Sequence, residues 1–256
     1  MPRTLTDEAI VLRTYNVGEA DRFCLLLTKS HGRIAARACG ARRMMSRRCG
    51  SLLPFQIVSV ECREHHDRYD ISSCSPVSAV DVSSNLRSFV AAQQAAELIL
   101  RCTGEGEALT GVYTLFADFL DCCGSGANDG LVPAFSIKLL SLLGLLPSLS
   151  HSCVSGHALS SDISVLFSPE RGGFCLESDA VAGRTLSVSA FSWLQRSVHL
   201  PLREMHPLTR SLEADVTQCV QSLIGSQLGA SLVTAPLAVR IASGSTPSSN
   251  VSDLVS

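Results

Sequence analysis

Six arginines, Arg33, Arg37, Arg42, Arg43, Arg47 and Arg48, fall within 16 residues that hold no aspartate or glutamate. Guanidinium forks make bidentate, charge-assisted contacts with phosphate and stay charged at any working pH, so this run points to a phosphate-rich ligand. On a strand from Arg33 to Cys39, positions 33, 35 and 37 share one face. Arg33 and Arg37 then point together, while Ile34 and Ala36 face a core. The Arg42-Arg43 and Arg47-Arg48 pairs fall on the glycine-bounded stretch Gly40 to Pro54 that follows. Arg13 on the first strand, with Arg22 and Lys29 flanking the second, extends the same basic surface. The competing reading is a merely solvated face; the uninterrupted sign beside a small barrel favours nucleic acid. A membrane surface fits less well, because no amphipathic anchor accompanies the charge. Of the nearby aromatics Tyr15, Phe23, Phe55 and Tyr69, alternation assigns most to the core rather than to base stacking.

Catalytic residue types elsewhere do not assemble into a site. His65-His66-Asp67 sits where a hairpin turn is expected, and adjacent histidines on a strand point to opposite faces, so they do not share a metal. Cys122-Cys123 ends a helix with no His or Lys run to activate a thiol, so both read as inert. No P-loop, no Gly-x-Ser-x-Gly and no His-Glu-x-x-His motif is present. The chain is read as a binding protein and not an enzyme.

The elements that must carry the arginines are short β-rich runs: Ala9 to Thr14, Phe23 to Thr28, Arg33 to Cys39, Phe55 to Cys62 and Tyr69 to Ser73. Five strands in so short a stretch predict a small closed barrel. Residues 1–68 carry 12 Arg/Lys against 7 Asp/Glu, and this balance of +5 leaves −7 for the rest of a chain whose net charge is −2. A basic head is thus hidden by an acidic average. From Ser83 the apolar period becomes helical, with Ser83 or Ser84 as the expected N-cap. Helices are predicted at Thr110 to Cys123, Pro133 to Leu145, Ser189 to Leu200 and Pro207 to Leu228, the last opened by Pro207. Gly124 to Gly130 is a flexible link. A β-pair is expected at Val165 to Ser168 and Gly173 to Leu176.

With 46% hydrophobic residues over 256 positions, the chain can bury more than one core. The expected organisation is α+β: a barrel domain over 1–78, a helical domain over 79–147 and 186–234, an insertion over 148–185, and a disordered tail over 235–256. Leu131 to Leu146 is too short, and with Lys138 too polar, to span a membrane. Met1 to Glu8 shows no apolar signal segment, so the 11 cysteines are expected as reduced thiols in the cytoplasm.

The order of several stretches resembles the RecO family of bacterial DNA repair proteins. These are Glu8 to Thr14, Gly18-Glu19-Ala20-Asp21-Arg22, Leu27-Thr28 with His31-Gly32-Arg33, and Gly40-Ala41-Arg42-Arg43. Leu53-Pro54-Phe55 and Phe167-Ser168-Pro169-Glu170 with Gly172-Gly173 continue the match, which runs from about residue 7 to 230. The resemblance implies an N-terminal OB-fold, a helical domain and a zinc-finger-like insertion. It implies binding of single- and double-stranded DNA, annealing of complementary strands, and work with RecR, and often RecF, to load RecA on DNA coated by single-strand-binding protein. Docking of that coating protein's acidic C-terminal tail is implied too, with the work done at the nucleoid.

The chain departs from the family where relatives carry Cys-x-x-Cys-Gly and a second Cys-x-x-Cys. Aligned on Gly156, the first two positions are Ser152 and Ser155; the second pair is Cys175 and Ser178. Serine is a poor zinc ligand, so the expectation is a degenerate insertion without cofactor. Cys153, His157, Cys175 and His151, with Glu177 or Asp179, are what a rescued site would have to use. A second class of function is a protein-docking adaptor that binds acidic peptides and touches DNA only incidentally. Arg87, Arg101 and Arg196 are candidates for its pocket, or ordinary surface residues.

Overall fold

The structure, a computed structural model, describes residues 4–43, 52–65, 68–78, 81–83, 85–126, 128–205, 207–229 and 232–234. Arg47, Arg48, His66, Asp67, Ser84 and the tail expected beyond Thr234 lie outside the described residues. Two compact units divide between Ser125 and Gly126.

The first unit opens with β1 (Thr4–Val17), β2 (Asp21–Thr28), β3 (Gly32–Ala38), β4 (Ile57–His65) and β5 (Arg68–Ser78). They close into a barrel in the order β1-β2-β3-β5-β4, the five-stranded OB-like arrangement. β1 is more than twice as long as alternation predicts because it serves two neighbours. Its first half pairs with β4, Thr4 opposite Arg63 through Ile10 opposite Ile57, and its second half with β2, Ala9 opposite Thr28 through Val17 opposite Asp21. A register shift between Val11 and Arg13 lets the strand bend from one ladder to the other. β3 and β5 close the barrel in parallel through only Ala36 opposite Tyr69 and Arg37 opposite Asp70.

The barrel interior is filled by small and branched side chains, among them Ala9, Cys24, Ile34, Ala36, Val60 and Cys62. Burial pushes the Cys24 and Cys62 thiols up to about 12, so they are packing groups and not nucleophiles. Phe55 is buried, but against Phe89 of a helix, edge-on at 5.6 Å.

Two helices complete this unit, α1 (Leu86–Cys102) and α2 (Thr110–Gly124). The cap of α1 is Asn85 and not Ser83: its Oδ1 accepts from Arg87 N at 2.9 Å and Ser88 N at 3.4 Å. Ser83 instead donates to Asp81. The Ser88 hydroxyl donates to the Cys123 carbonyl at 2.8 Å, tying α1 to the end of α2. Cys123 is buried there with its thiol pushed up to about 12, while Cys122 is half-buried.

The second unit holds α3 (Leu131–Leu142), β6 (Val165–Ser168), β7 (Gly173–Leu176), β8 (Arg184–Leu186), α4 (Val188–His199) and α5 (Arg210–Leu228). The expected β6–β7 pair is present, with Phe167 opposite Phe174, and β8 adds a third strand beside β6. Phe174 stacks obliquely on Phe167 and on Phe191 of α4, at 5.2 and 5.5 Å between ring centres. α5 begins after Thr209 and not at Pro207. Thr209 is extended and its carbonyl accepts from Leu212 N and Glu213 N, both at 2.9 Å, so the first helical bonds form there and Pro207 stands before the cap. Among the described residues, no helix is long and apolar enough to cross a membrane. Lys138 on α3 donates Nζ to the Val198 carbonyl at 3.0 Å, and burial alone lowers its pKa.

Candidate nucleic-acid interface

Strand pairing decides which basic residues can work together. Ala36 and Ala38 enter the barrel interior, so Arg37 lies on the outer face. Across the sheet Arg37 stands opposite Phe23, and Phe23 opposite Tyr15, so the three form one outward row. The next row is Arg13, Leu25 and Ala35. Tyr15, Phe23 and Arg13 are half-buried and Arg37 is exposed. Two aromatic rings flanked by guanidinium groups on the outer face of β1–β3 are the equipment of a single-strand platform: stacking surface with phosphate partners alongside.

This corrects the assignment of the aromatics to the core. Only Phe55 is fully buried, and Tyr69 is partly buried against the barrel interior. Tyr15 and Phe23 escaped the sequence reading because alternation alone does not say which face of a barrel strand is inward. Their pairing partners do.

Asp21, at the start of β2, organises the edge of this face. Its Oδ1 accepts from Gly40 N at 2.7 Å and its Oδ2 from Arg37 Nε at 3.0 Å. Those two donors, Gly40 first and then Arg37, hold the Asp21 carboxyl below its usual value. The clasp draws the β1–β2 turn and the segment after β3 together. Arg42 adds to it, donating Nη1 to the Gly18 carbonyl at 3.0 Å and its backbone N to the Ala20 carbonyl at 2.9 Å. Arg42 and Arg43 are both exposed. Arg37 and Arg43 therefore lie about one carboxylate at the rim of the aromatic row, with Arg42 held on the adjoining β1–β2 turn.

Arg33 shares the outer face with Arg37, but its end of the face is covered. Chain following α1 runs alongside β3: Gly106 N donates to the Arg33 carbonyl at 2.9 Å, and Glu105 bridges to Arg33. The Arg33 guanidinium donates Nη1 to the Leu100 carbonyl at 3.3 Å, while its buried Nε has no partner among the described residues. Arg22 is engaged in a similar way, donating Nη1 to the Leu52 carbonyl at 2.8 Å, which anchors the chain where it returns from the loop. Lys29 stands 3.8 Å from Glu8 and 6.0 Å from the Tyr113 ring centre. Glu8 also accepts from the Tyr113 hydroxyl at 2.7 Å, and burial followed by that bond raises the Tyr113 pKa. Arg87 and Arg101 lie exposed on α1 and Arg196 on α4; Arg101 is paired with Glu97 at 2.9 Å.

In the insertion, Ser152 donates Oγ to Asp179 Oδ2 at 2.6 Å, and Leu176 N donates to the same oxygen at 2.9 Å. Hydrogen bonds from Ser152 and then Ser155 hold the Asp179 carboxyl below the usual aspartate range. The side chains present do not fit a zinc ion. Two of the aligned ligand positions are hydroxyls committed to a carboxylate, and among the described residues no three His, Cys, Asp or Glu gather as a ligand set. A carboxyl with a depressed folded-state pKa contributes order that is complete above its unfolded value and lost as pH falls through the folded one. The Leu176 amide signal in an NMR titration is therefore expected to keep its native position to below the ordinary aspartate midpoint. Asp179→Asn should abolish that titration; a Leu176 midpoint at or above the ordinary value would contradict this role.

Comparison with known proteins divides the chain after the barrel, ahead of α1. The family model for the recombination protein O N terminal matches residues 1–80, and that for the recombination protein O C terminal matches residues 83–234. A DNA repair protein RecO of Bifidobacterium adolescentis is 30% identical over 192 residues, covering 73% of this chain and 76% of that protein. One from an Anaeromyxobacter species is 30% identical over 204 residues, covering 77% and 80%. One from Syntrophotalea carbinolica is 31% identical over 206 residues, covering 77% and 78%.

Proposed function

The chain belongs to the RecO family of DNA repair proteins, and from that premise we propose that its barrel holds single-stranded DNA on the outer face of β1–β3 and brings complementary strands together. The observation that carries this reading is the row Tyr15–Phe23–Arg37 with Arg13 beside it and Arg42 and Arg43 at its rim. Bases stack on the two rings while the guanidinium groups take phosphates. Strand approach is then limited by phosphate repulsion, which the cationic rim lowers through counterion release. No bond in the DNA is made or broken. Arg22, Arg33 and Lys29 serve this surface by holding main chain and neighbouring side chains in place. Arg47 and Arg48, four and five residues after Arg43 in sequence, add cationic charge for the same ligand.

In the cell the chain acts in the cytoplasm at the nucleoid. It works with RecR, and with RecF where present, to load RecA on DNA coated by single-strand-binding protein, whose acidic tail it docks. The insertion performs its part without zinc, with Asp179 and the aromatic cluster supplying the order that a metal would give.

Annealing of two complementary labelled oligonucleotides, with and without single-strand-binding protein, tests the reading. The full chain should accelerate annealing of both naked and coated strands. Binding of an acidic peptide without any acceleration of naked strands would favour the adaptor function instead.

A further inference from the structure

The insertion brings two thiols together that the DNA-binding face does not use. Cys153 Sγ lies 3.2 Å from Cys175 Sγ. The approach is fixed from both sides. Cys153 N donates to the Phe174 carbonyl at 2.9 Å, and Cys175 sits within β7, which is paired along its length with β6. Gly173 makes the room: a Cβ there would meet Cys153 Cβ at 2.8 Å and Sγ at 2.9 Å. The two sulfurs differ in access, Cys153 being exposed and Cys175 buried.

We propose that Cys153 and Cys175 are a thiol–disulfide exchange site, oxidised by a low-molecular-weight disulfide that enters at Cys153 and is displaced by Cys175. A disulfide needs its sulfurs at about 2.05 Å, so each has to move by only a fraction of an ångström from the observed separation. In the first step the Cys153 thiolate attacks one sulfur of the reagent, the reagent's S–S bond breaks, and one thiolate leaves. In the second and slower step, hydroxide takes the proton of Cys175, whose thiol is pushed up to about 12 by burial and the Cys153 contact, and its sulfur attacks the adjacent Cys153 sulfur, expelling the second thiolate. Two protein thiols are oxidised to one disulfide, and one reagent disulfide is reduced to two thiols. The new bond ties the Cys153 turn to β7 directly beside Phe174. The insertion's internal order thereby becomes dependent on the thiol balance of its surroundings, as befits a transient disulfide in a reducing compartment.

The full-length folded chain is incubated with oxidised glutathione, quenched with an alkylating agent in guanidinium chloride so that buried Cys175 is also reached, and digested without reduction for mass spectrometry. The expected product is a Cys153–Cys175 linked peptide pair, lighter than the two reduced peptides by two hydrogens. Cys175→Ser should leave Cys153 trapped as the stable glutathione adduct, and Cys153→Ser should leave Cys175 alkylated as a free thiol. Gly173→Ala, which pushes Cys153 away, should slow closure while leaving adduct formation intact. The proposal is overturned if Cys153 of the unaltered chain carries glutathione while Cys175 remains alkylatable. It is equally overturned if the linked pair appears only when urea is present.

Discussion

Replacing Arg37, Arg42 and Arg43 together by alanine is expected to weaken single-strand binding roughly ten- to a hundredfold near physiological salt. Each is an exposed guanidinium, for which a phosphate partner contributes about 0.5–1 kcal/mol, so three give about 1.5–3 kcal/mol. The slope of log affinity against log salt should flatten by about 2, because each lost phosphate contact on a single strand removes about 0.7. Duplex DNA should lose affinity in parallel, since charge does not distinguish the two forms. Tyr15→Ala with Phe23→Ala should act differently: about 1–3 kcal/mol is lost for each unstacked base, single strands suffer selectively, and the salt slope is kept. Asp21→Asn supplies the opposite sign. The amide can still accept from Gly40 N, but Arg37 is released from its carboxylate, so binding should tighten. Fluorescence anisotropy of a labelled oligonucleotide across a salt series reads all three. A triple variant that binds with the parent's affinity and slope would remove the rim from the interface.

The largest effect on stability is expected at Gly32, where alanine should cost about 3–5 kcal/mol and lower the melting temperature by roughly 10 °C or more. Two costs combine. The residue has φ +70°, a region that alone costs an L-residue about 1–2 kcal/mol. An added Cβ would also lie 2.0 Å from the Glu107 carbonyl oxygen and 2.8 Å from its nitrogen. Main chain has to yield there, yet the neighbouring Gly106 is bonded to the Arg33 carbonyl and the Gly32 carbonyl itself accepts from Thr28 Oγ1 at 2.7 Å. Gly18→Ala is the matched control: its φ is +57°, but nothing lies within 4 Å, so it should cost only the backbone term. Scanning calorimetry of the two variants compares them. Equal shifts would mean that the Glu107 segment moves aside without penalty.

Much of the barrel could be read from alternation because its interior demands one buried face per strand. β3 is the clearest instance: Ile34, Ala36 and Ala38 are buried and Arg37 is exposed, as the spacing implied. The full reach of β1 was not legible, since Thr4 to Glu8 are held by the β4 ladder and not by a repeating apolar pattern. β8 is three residues long and owes its existence to β6, so no local period announces it. At the candidate interface, charge clustering pointed to the third strand and the residues that follow it. It could not tell Arg37, open at the rim, from Arg33, covered by chain some seventy residues downstream. Tertiary cover is the quantity a count of arginines lacks. Family-level pattern reached further than local chemistry in the insertion, yet only geometry shows Asp179 collecting the two serines that stand at aligned ligand positions.

The narrow seam between β3 and β5 has a kinetic consequence. β1, β2 and β3 are joined by tight turns and can zip as a local meander, whereas the two pairs that complete the barrel unite segments separated by the whole arginine loop and β4. Contacts of such sequence separation reward the chain only after the loop entropy has been spent. The row Tyr15–Phe23–Arg37 thus takes shape on the early meander, and β5 arrives as the late piece that turns an open sheet into a cylinder. During synthesis this delay leaves the β3 edge open at Ala36 and Arg37 until residues 69 and 70, and at Arg33 until residues 105 and 106, have left the ribosome, and the charge on Arg33 and Arg37 is well suited to keep that edge from pairing with other chains.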